Sequence, residues 1–391
     1  MTRVAMVVMS DYPADPRVRR EAEALARVGV SVDVICVRGP GESPWEVCGS
    51  IVAHRVFRNQ SRERLAGYLV FTILFAMIAC WRLFWMSLRH KYDLVQIHNM
   101  PDYLVFVGLW QKLLRRPVVL DIHDLTVELF ESRWHEGRFR VLLPFIRWTE
   151  KLACGFADHI ITSSAGFQQR LIDRGVAPGK ITLIMNTADP LIFRKLADDP
   201  LPPNDPPVFL YHGTVAPRFG IHILIAAIGL LWERGVGCRL NINGSYDTRY
   251  RQELARLVAR SGLEDRVCFG GYLPLEEIRL EIAQADIGVV PYLSDLFMDL
   301  ALSTKGFEYV AMGVPVIASR LPSMSSIFPV EAVCYFESGS SKDLADQMEF
   351  MLAHRDLWPD YVAAADEAYR PYAWPMMVEL YLELIQRLVR V

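Results

Sequence analysis

Short apolar runs rich in valine and isoleucine recur along the whole chain, each followed by a stretch with helical spacing. Such a chain buries its runs as strands of a parallel sheet covered by helices on both faces. In the first half the strand candidates are Val4 to Met9, Ser31 to Val37, Ile51 to Val56, Leu94 to His98, Val118 to Ile122, His159 to Thr162 and Ile181 to Met185. The helical pattern from Arg17 to Val28, with Val18, Ala22, Leu25 and Ala26 on one face, shows the alternation. In the second half the runs are Val208 to His212, Leu240 to Asn243, Val267 to Phe269, Ile287 to Val290, Val314 to Ala318 and Val333 to Phe336.

A chain of 391 residues exceeds one ordinary core and predicts two domains. Five prolines in the nine residues from Asp199 to Pro207 mark the linker. The expectation is an α/β fold of two doubly wound Rossmann-like domains facing across a cleft: 1–195, a linker at 196–207, and 208–373. Ligands of such sheets bind beyond the carboxyl ends of the strands.

A net charge of −3 provides no basic field for nucleic acid. The seven cysteines are scattered, with no C-x-x-C and no histidine cluster at zinc spacing, which fits reduced thiols in a cytoplasmic protein and no metal. The opening TRVAMVVMSDYP reads as a first buried strand, its apolar run being shorter than a signal peptide's. No G-x-G-x-x-G follows any strand, which argues against a nicotinamide or flavin enzyme.

Two strand-to-helix turns of the second half carry a cation where a helix begins. In LSTKGFEYVAMG the helix Lys305 to Met312 has a lysine in its first turn, where the dipole's positive end and unpaired N–H groups repel it. A bound anion reverses that penalty. The turn His212 to Gly220 brings Arg218 to a second helix start. Taken singly, each is most simply a solvated side chain, and Lys305 could just pair with Glu308. Together they fit a diphosphate clamp, with N–H groups of Ser303, Thr304 and Lys305 as further donors and Glu308 in reach of a ribose diol.

A set of motifs now carries a resemblance. In order these are G-x-x-x-x-R-x-G, I-x-x-L-I-x-A, D-R-V-x-F-x-G-x-L-P, A-D-I-G-V-V-P and K-G-F-E-Y-x-A-x-G-x-P-V-I-A. The first half adds Asp15-Pro16-Arg17-Val18, Val95-Gln96-Ile97-His98-Asn99 and Leu120-Asp121-Ile122-His123-Asp124. The chain resembles the GT-B glycosyltransferases of the large retaining family four over nearly its whole length. The resemblance implies a nucleoside-diphosphate sugar donor, UDP- or GDP-linked, with Arg218 and Lys305 on the diphosphate and Glu308 on the ribose. Gly271, Tyr272 and Leu273 would meet the base. It implies front-face transfer, in which the leaving diphosphate takes the acceptor's proton, with no metal or other cofactor. His123 would contact donor sugar or phosphate; Asp15, Asn99, Asp124 and Asp299 are candidates on the acceptor or sugar side. For Asp124 a helix cap, and for Arg17 with Glu21 a surface pair, are the plainer readings. The helix Trp374 to Leu388 would pack back on the first domain, carrying 374–391 with it.

The chain departs from the family pattern at three places. Most relatives have a glutamate eight residues before Glu308, where this chain has Leu300 beside Asp299. Phe219 stands where a lysine is common, and Ser10-Asp11-Tyr12-Pro13 replaces a glycine pair after the first strand. The first departure keeps open a catalytically silent nucleotide- or lipid-binding scaffold, beside a sugar-nucleotide epimerase or phosphorylase.

Tyr68 to Leu88 contains one charge, Arg82, and as a helix would be about 31 Å long, enough to cross a bilayer. A crossing there would put the strands at Val4 and Leu94 on opposite sides of the membrane. Two placements remain: a helix buried in the domain or against another subunit, or one lying in the bilayer interface. In the second, Trp81 and Trp85 sit at headgroup depth near Arg62, Arg64, Arg89 and Lys91. Membrane contact through 68–88 implies a peripheral protein on the inner face of the cell membrane and a lipid-linked glycan acceptor, in envelope or extracellular polysaccharide synthesis.

Overall fold

The computed structural model describes residues 2–58, 65–133, 138–195 and 203–390. They form two compact units: Met1–Met185 with Pro375–Val391, and Asn186–Trp374.

The first unit runs β1 (Arg3–Asp11), α1 (Pro16–Arg27), β2 (Ser31–Arg38), β3 (Trp45–Cys48), β4 (Ile51–Arg58), α2 (Leu65–Arg89), β5 (Leu94–His98) and α3 (Leu109–Leu113). It continues with β6 (Val118–Ile122), α4 (Thr126–Arg133), α5 (Leu143–Phe156), β7 (His159–Thr162), α6 (Ala165–Asp173) and β8 (Ile181–Leu183). The sheet order is β3-β4-β2-β1-β5-β6-β7-β8. Every pairing is parallel except that of β3 with β4. Strands β5, β6 and β7 are buried at every residue, which explains their near-continuous apolar character. Helix α1 starts where Asp15 accepts from the N–H groups of Arg17 and Val18, with Pro16 in the first turn, and it buries Val18, Ala22 and Leu25. The strand order reverses between β1 and β5, so their carboxyl ends open a crevice.

The second unit runs β9 (Val208–His212), α7 (Ile221–Glu233), β10 (Arg239–Asn243), α8 (Thr248–Arg260), β11 (Val267–Gly271), α9 (Leu275–Gln284), β12 (Ile287–Val290) and α10 (Thr304–Met312). Then follow β13 (Val316–Ser319), α11 (Pro322–Ser325), β14 (Cys334–Phe336), α12 (Ser341–Ala353) and α13 (Trp358–Tyr369). Its all-parallel sheet is ordered β11-β10-β9-β12-β13-β14 and reverses between β9 and β12. The last helix, α14 (Trp374–Val389), groups with the first unit, where the Tyr381 hydroxyl donates to Gln96 Oε1 at 2.7 Å.

Of the expected linker, residues 196–202 lie outside the described residues, as do Arg62 and Arg64. Residues 186–195, assigned to the first domain from the sequence, group with the second unit. The Lys195 side chain there lies over Gly313, 2.7 Å from where a Cβ would stand.

Helix α2 seats a narrow stripe, Thr72, Phe75, Ala79 and Leu83, in the first unit. Its remaining apolar surface, including Val70, Met77, Trp81 and Trp85, is exposed.

Candidate active site

In the second unit, the reversal between β9 and β12 gathers the residues singled out from the sequence. His212 ends β9, and Gly213 begins the turn that the Lys305 side chain covers. A Cβ on Gly244, just past β10, would stand 1.7 Å from the Gly213 carbonyl oxygen. That approach admits only glycine. The Gly244 N–H donates to Gly271 O at 2.6 Å, tying the end of β11 into the same cluster. Gly271 is thus linked through Gly244 to Gly213, while Tyr272 beside it is 77% exposed. Gly271 N–H also donates to the Tyr246 hydroxyl.

Ser303 caps α10, its hydroxyl donating to the Tyr292 hydroxyl at 3.2 Å, and Thr304 and Lys305 form the first turn. The Lys305 ammonium lies 5.7 Å from the centre of the Phe219 ring and 5.8 Å from that of Tyr292. Burial opposes its charge, yet Tyr292 and Glu308 hold it above the ordinary lysine range. The ammonium is charged, half-buried and aimed across a glycine. Burial, with Lys305 adding, pushes His212 well below the usual imidazole range, so the ring is neutral. His212 Nε2, which has no hydrogen-bond partner among the described residues, stands 3.2 Å from Glu308 Oε2, one turn into α10.

Arg218 is placed differently from the clamp expected of it. Its guanidinium pairs with Asp295 at 2.8 Å and lies 5.3 Å from the Phe297 ring centre. Lys305 lies over Gly213 beside the Phe219 and Tyr292 rings, while Arg218 is engaged by Asp295 in the loop after β12. In that loop Asp299 Oδ2 accepts from the Ser294 hydroxyl, while its Oδ1 is buried with no hydrogen-bond partner among the described residues.

In the first unit, β5 and β6 are in register with His98 opposite Asp121. Three polar atoms converge there: His98 Nδ1 is 3.0 Å from His123 Nε2 and 3.1 Å from Asp121 Oδ2. Arg17 is 97% buried and grips Asp121 with two nitrogens, Nε at 3.1 Å and Nη2 at 2.8 Å. Its Nη1 donates to Ile184 O at 2.9 Å, and Glu21 lies 3.3 Å from Nε. The Arg17–Glu21 pair expected on the surface is in fact part of a core network, because the residues at the head of α1 face the sheet. Burial would raise the Asp121 carboxyl, but Arg17 and the two histidines hold it well below the carboxylate range. Glu21, buried beside Asp121, is pushed well above it.

Burial lowers the His98 pKa despite Asp121, so its ring is neutral. His98 Nε2 is buried without a partner among the described residues. We assign its proton to Nδ1, where Asp121 Oδ2 stands as acceptor. His98, Asp121 and His123 also have metal-ligand spacing, a cluster invisible in the linear sequence. Both Asp121 oxygens already accept from the Arg17 guanidinium, and Oδ2 also from Gln96 at 3.2 Å, so a cation would compete with a buried arginine.

The other candidates serve mainly to hold backbone. Asp15 caps α1; burial would raise it, but His123 and the Ser10 hydroxyl keep it below the usual range. Asn99, expected toward sugar or acceptor, spends its amide internally: Oδ1 accepts from His123 N–H, and Nδ2 donates to Asp102 and Asp124 O. Helix α4 begins after Asp124, with Leu129 N–H donating to Leu125 O. Asn243, Gly244 and Tyr246 were missed, although the Asn243-Gly244-Ser245 turn after a strand was a readable signal.

Two doubly wound Rossmann-like domains in one chain define the GT-B class of fold. Residues 14–187 match the glycosyl transferase 4-like domain and residues 206–354 match the glycosyl transferases group 1 domain. The chain belongs to glycosyltransferase family four and is a hexosyl-type glycosyltransferase. It is 23% identical over 316 residues to 2-deoxystreptamine glucosyltransferase of Streptomyces kanamyceticus, covering 77% of this chain and 79% of that one. Over 155 residues it is 28% identical to the amylovoran biosynthesis glycosyltransferase AmsK of Erwinia amylovora, covering 39% and 37%. Sucrose-phosphate synthase from Thermosynechococcus elongatus superposes with a TM-score of 0.80 at 21% identity over 99% of both chains. Anabaena Alr3699/HepE in complex with UDP gives 0.70 at 18% over the whole of both.

Proposed function

We propose that the protein is a retaining glycosyltransferase that moves a sugar from a UDP- or GDP-sugar to a glycan or lipid-linked acceptor in envelope or extracellular polysaccharide synthesis. The observation that carries this reading is the half-buried, charged Lys305 at the start of α10, held over Gly213. An ammonium so placed stabilises a diphosphate as it departs, and the N–H groups of Ser303, Thr304 and Lys305 add donors without reorganisation. Arg218 joins it by exchanging Asp295, a partner in an ion pair about a quarter exposed, for phosphate oxygen. Glu308, beside His212, takes the ribose hydroxyls, and backbone at Gly271, Tyr272 and Leu273 meets the base.

Transfer occurs on the face the diphosphate leaves, and the leaving oxygen receives the acceptor's proton. The protein contributes positioning and charge stabilisation. His123 donates from Nδ1 to the sugar or its phosphate, and the unpartnered Asp299 Oδ1 accepts from a sugar hydroxyl. No metal takes part, the acidic group of the His98 cluster being committed to Arg17. Incubating the protein with a panel of nucleotide sugars and reading products by mass spectrometry tests this. One donor consumed, with its nucleoside diphosphate released, is expected; an inert panel with intact nucleotide binding would favour the silent scaffold, for which Leu300 in place of glutamate speaks.

We further propose a cytoplasmic protein that meets the membrane through 68–88, where α2 leaves an apolar surface uncovered. A lipid-linked acceptor suits that placement.

A further inference from the structure

The uncovered surface of α2 continues onto two neighbouring elements of the first unit. Phe84 of α2 and Trp110 of α3 are in edge-to-face contact at 5.0 Å, and Phe106, just before α3, meets Phe156 of α5 at 5.1 Å. Along this layer α3 exposes Leu109 and Leu113, while α5 exposes Phe145, Trp148 and Leu152 at helical spacing. Apolar patches this extended on one face mark an interaction site.

The charges on these segments have one sign. Residues 65–92 and 109–117 contain no aspartate or glutamate, whereas they carry Arg82, Arg89, Lys91, Lys112, Arg115 and Arg116. On α5 the sole acid, Glu150, is buried on Arg174, while Lys151 and Arg147 are exposed. Arg147 pairs with Glu131 and Lys112 with Asp158, so the excess rests mainly on Arg82, Arg89, Lys91, Arg115, Arg116 and Lys151. In a protein of net charge −3 this is a strong local excess. Where α2 ends beside the turn after α3, a cavity of about 300 Å³ is lined by Arg89, His90, Lys91 and Arg116, with Leu88 and Leu114 at its apolar side.

We propose that this face docks on an anionic lipid bilayer and that the cavity receives a phospholipid headgroup phosphate. The reading rests on the membrane contact proposed above and adds a headgroup site with a charge preference. A basic rim around exposed tryptophan and leucine suits an anionic interface. A second copy would bring like charges together, so the bilayer is the occupant the charges select.

Flotation of the full-length protein with phosphatidylcholine vesicles, with and without phosphatidylglycerol, tests the proposal. Wild type is expected to float with the anionic vesicles, preferring them by about tenfold or more. Arg89→Glu combined with Lys91→Glu and Arg116→Glu is expected to abolish that preference, and Phe145→Ser with Trp148→Ser to weaken binding to both vesicles. Unchanged thermal unfolding shows that each variant is folded; for any that is not, Arg89→Gln with Lys91→Gln replaces it. Equal flotation with both vesicles, unaffected by charge reversal, would overturn the headgroup site and leave membrane contact standing. No flotation at all would overturn both. A thermal shift with inorganic phosphate but none with vesicles would reassign the cavity to a soluble phosphate and overturn the proposal. Light scattering showing a dimer that the Trp148 variant dissolves would do the same.

Discussion

The Lys305 side chain lies directly over Gly213: a Cβ at position 213 would stand 2.0 Å from the lysine Cε and 2.7 Å from its Nζ. Gly213 also has φ +109°, a backbone state that side chains disfavour. Gly213→Ala is therefore expected to displace the ammonium and strain the turn at once. Backbone strain alone costs about 1–3 kcal/mol of stability, measurable by urea unfolding. Nucleoside-diphosphate affinity should fall at least tenfold in the same protein.

The proposed donation from His123 Nδ1 to the sugar or its phosphate has a chemical consequence. With its proton on Nδ1, His123 is mimicked by asparagine, whose amide nitrogen falls near that position, and not by glutamine. Donor turnover by His123→Asn should exceed that of His123→Gln, with the poorer variant about 100-fold or more below wild type. Equal rates would place the proton elsewhere.

Arg17 joins α1 to β6 through Asp121 and to the segment just past β8 through Ile184 O. Removing it strands a buried carboxylate. Arg17→Met is expected to cost about 3–5 kcal/mol in chemical unfolding. Arg17→Lys should restore only part of this, because an ammonium lacks the two-pronged grip.

His159, whose ring lies 2.8 Å from the Thr182 hydroxyl, is lowered by burial, with Arg387 and Lys180 adding, to about 4. The folded protein thus resists protonating it below 6.5, while the unfolded chain accepts the proton. The stability it contributes is present above 6.5 and is lost as pH falls toward about 4. Between about pH 7 and pH 4 the melting temperature of wild type should drop further than that of His159→Gln.

Several elements were legible in sequence because their burial is uniform. Strands β5, β6, β7, β9 and β12 match residue for residue, since strands covered on both faces are continuous apolar runs bounded by polar turns. Strand β3 escaped notice because all four of its residues are exposed and it pairs only at a sheet edge. Lys305 stood out because a cation in a first helical turn contradicts the dipole. The His98–Asp121–His123 cluster did not, since its members meet only through the β5–β6 register. Arg17 was misread for a related reason: i, i+4 spacing shows which residues pair but not whether the helix turns them toward the sheet. The α2 segment was recognisable as apolar, while its division into a buried stripe and an uncovered face depended on what packs beneath it.

Calorimetric titration of nucleoside diphosphates into wild type, Lys305→Met and Glu308→Ala tests most directly whether the Lys305 ammonium holds a pyrophosphate. UDP or GDP is expected to bind wild type at one site per chain, to lose about tenfold or more in Lys305→Met, and to be weakened in Glu308→Ala. Binding of equal strength in all three folded proteins, or no binding of any nucleoside diphosphate to wild type, would contradict it.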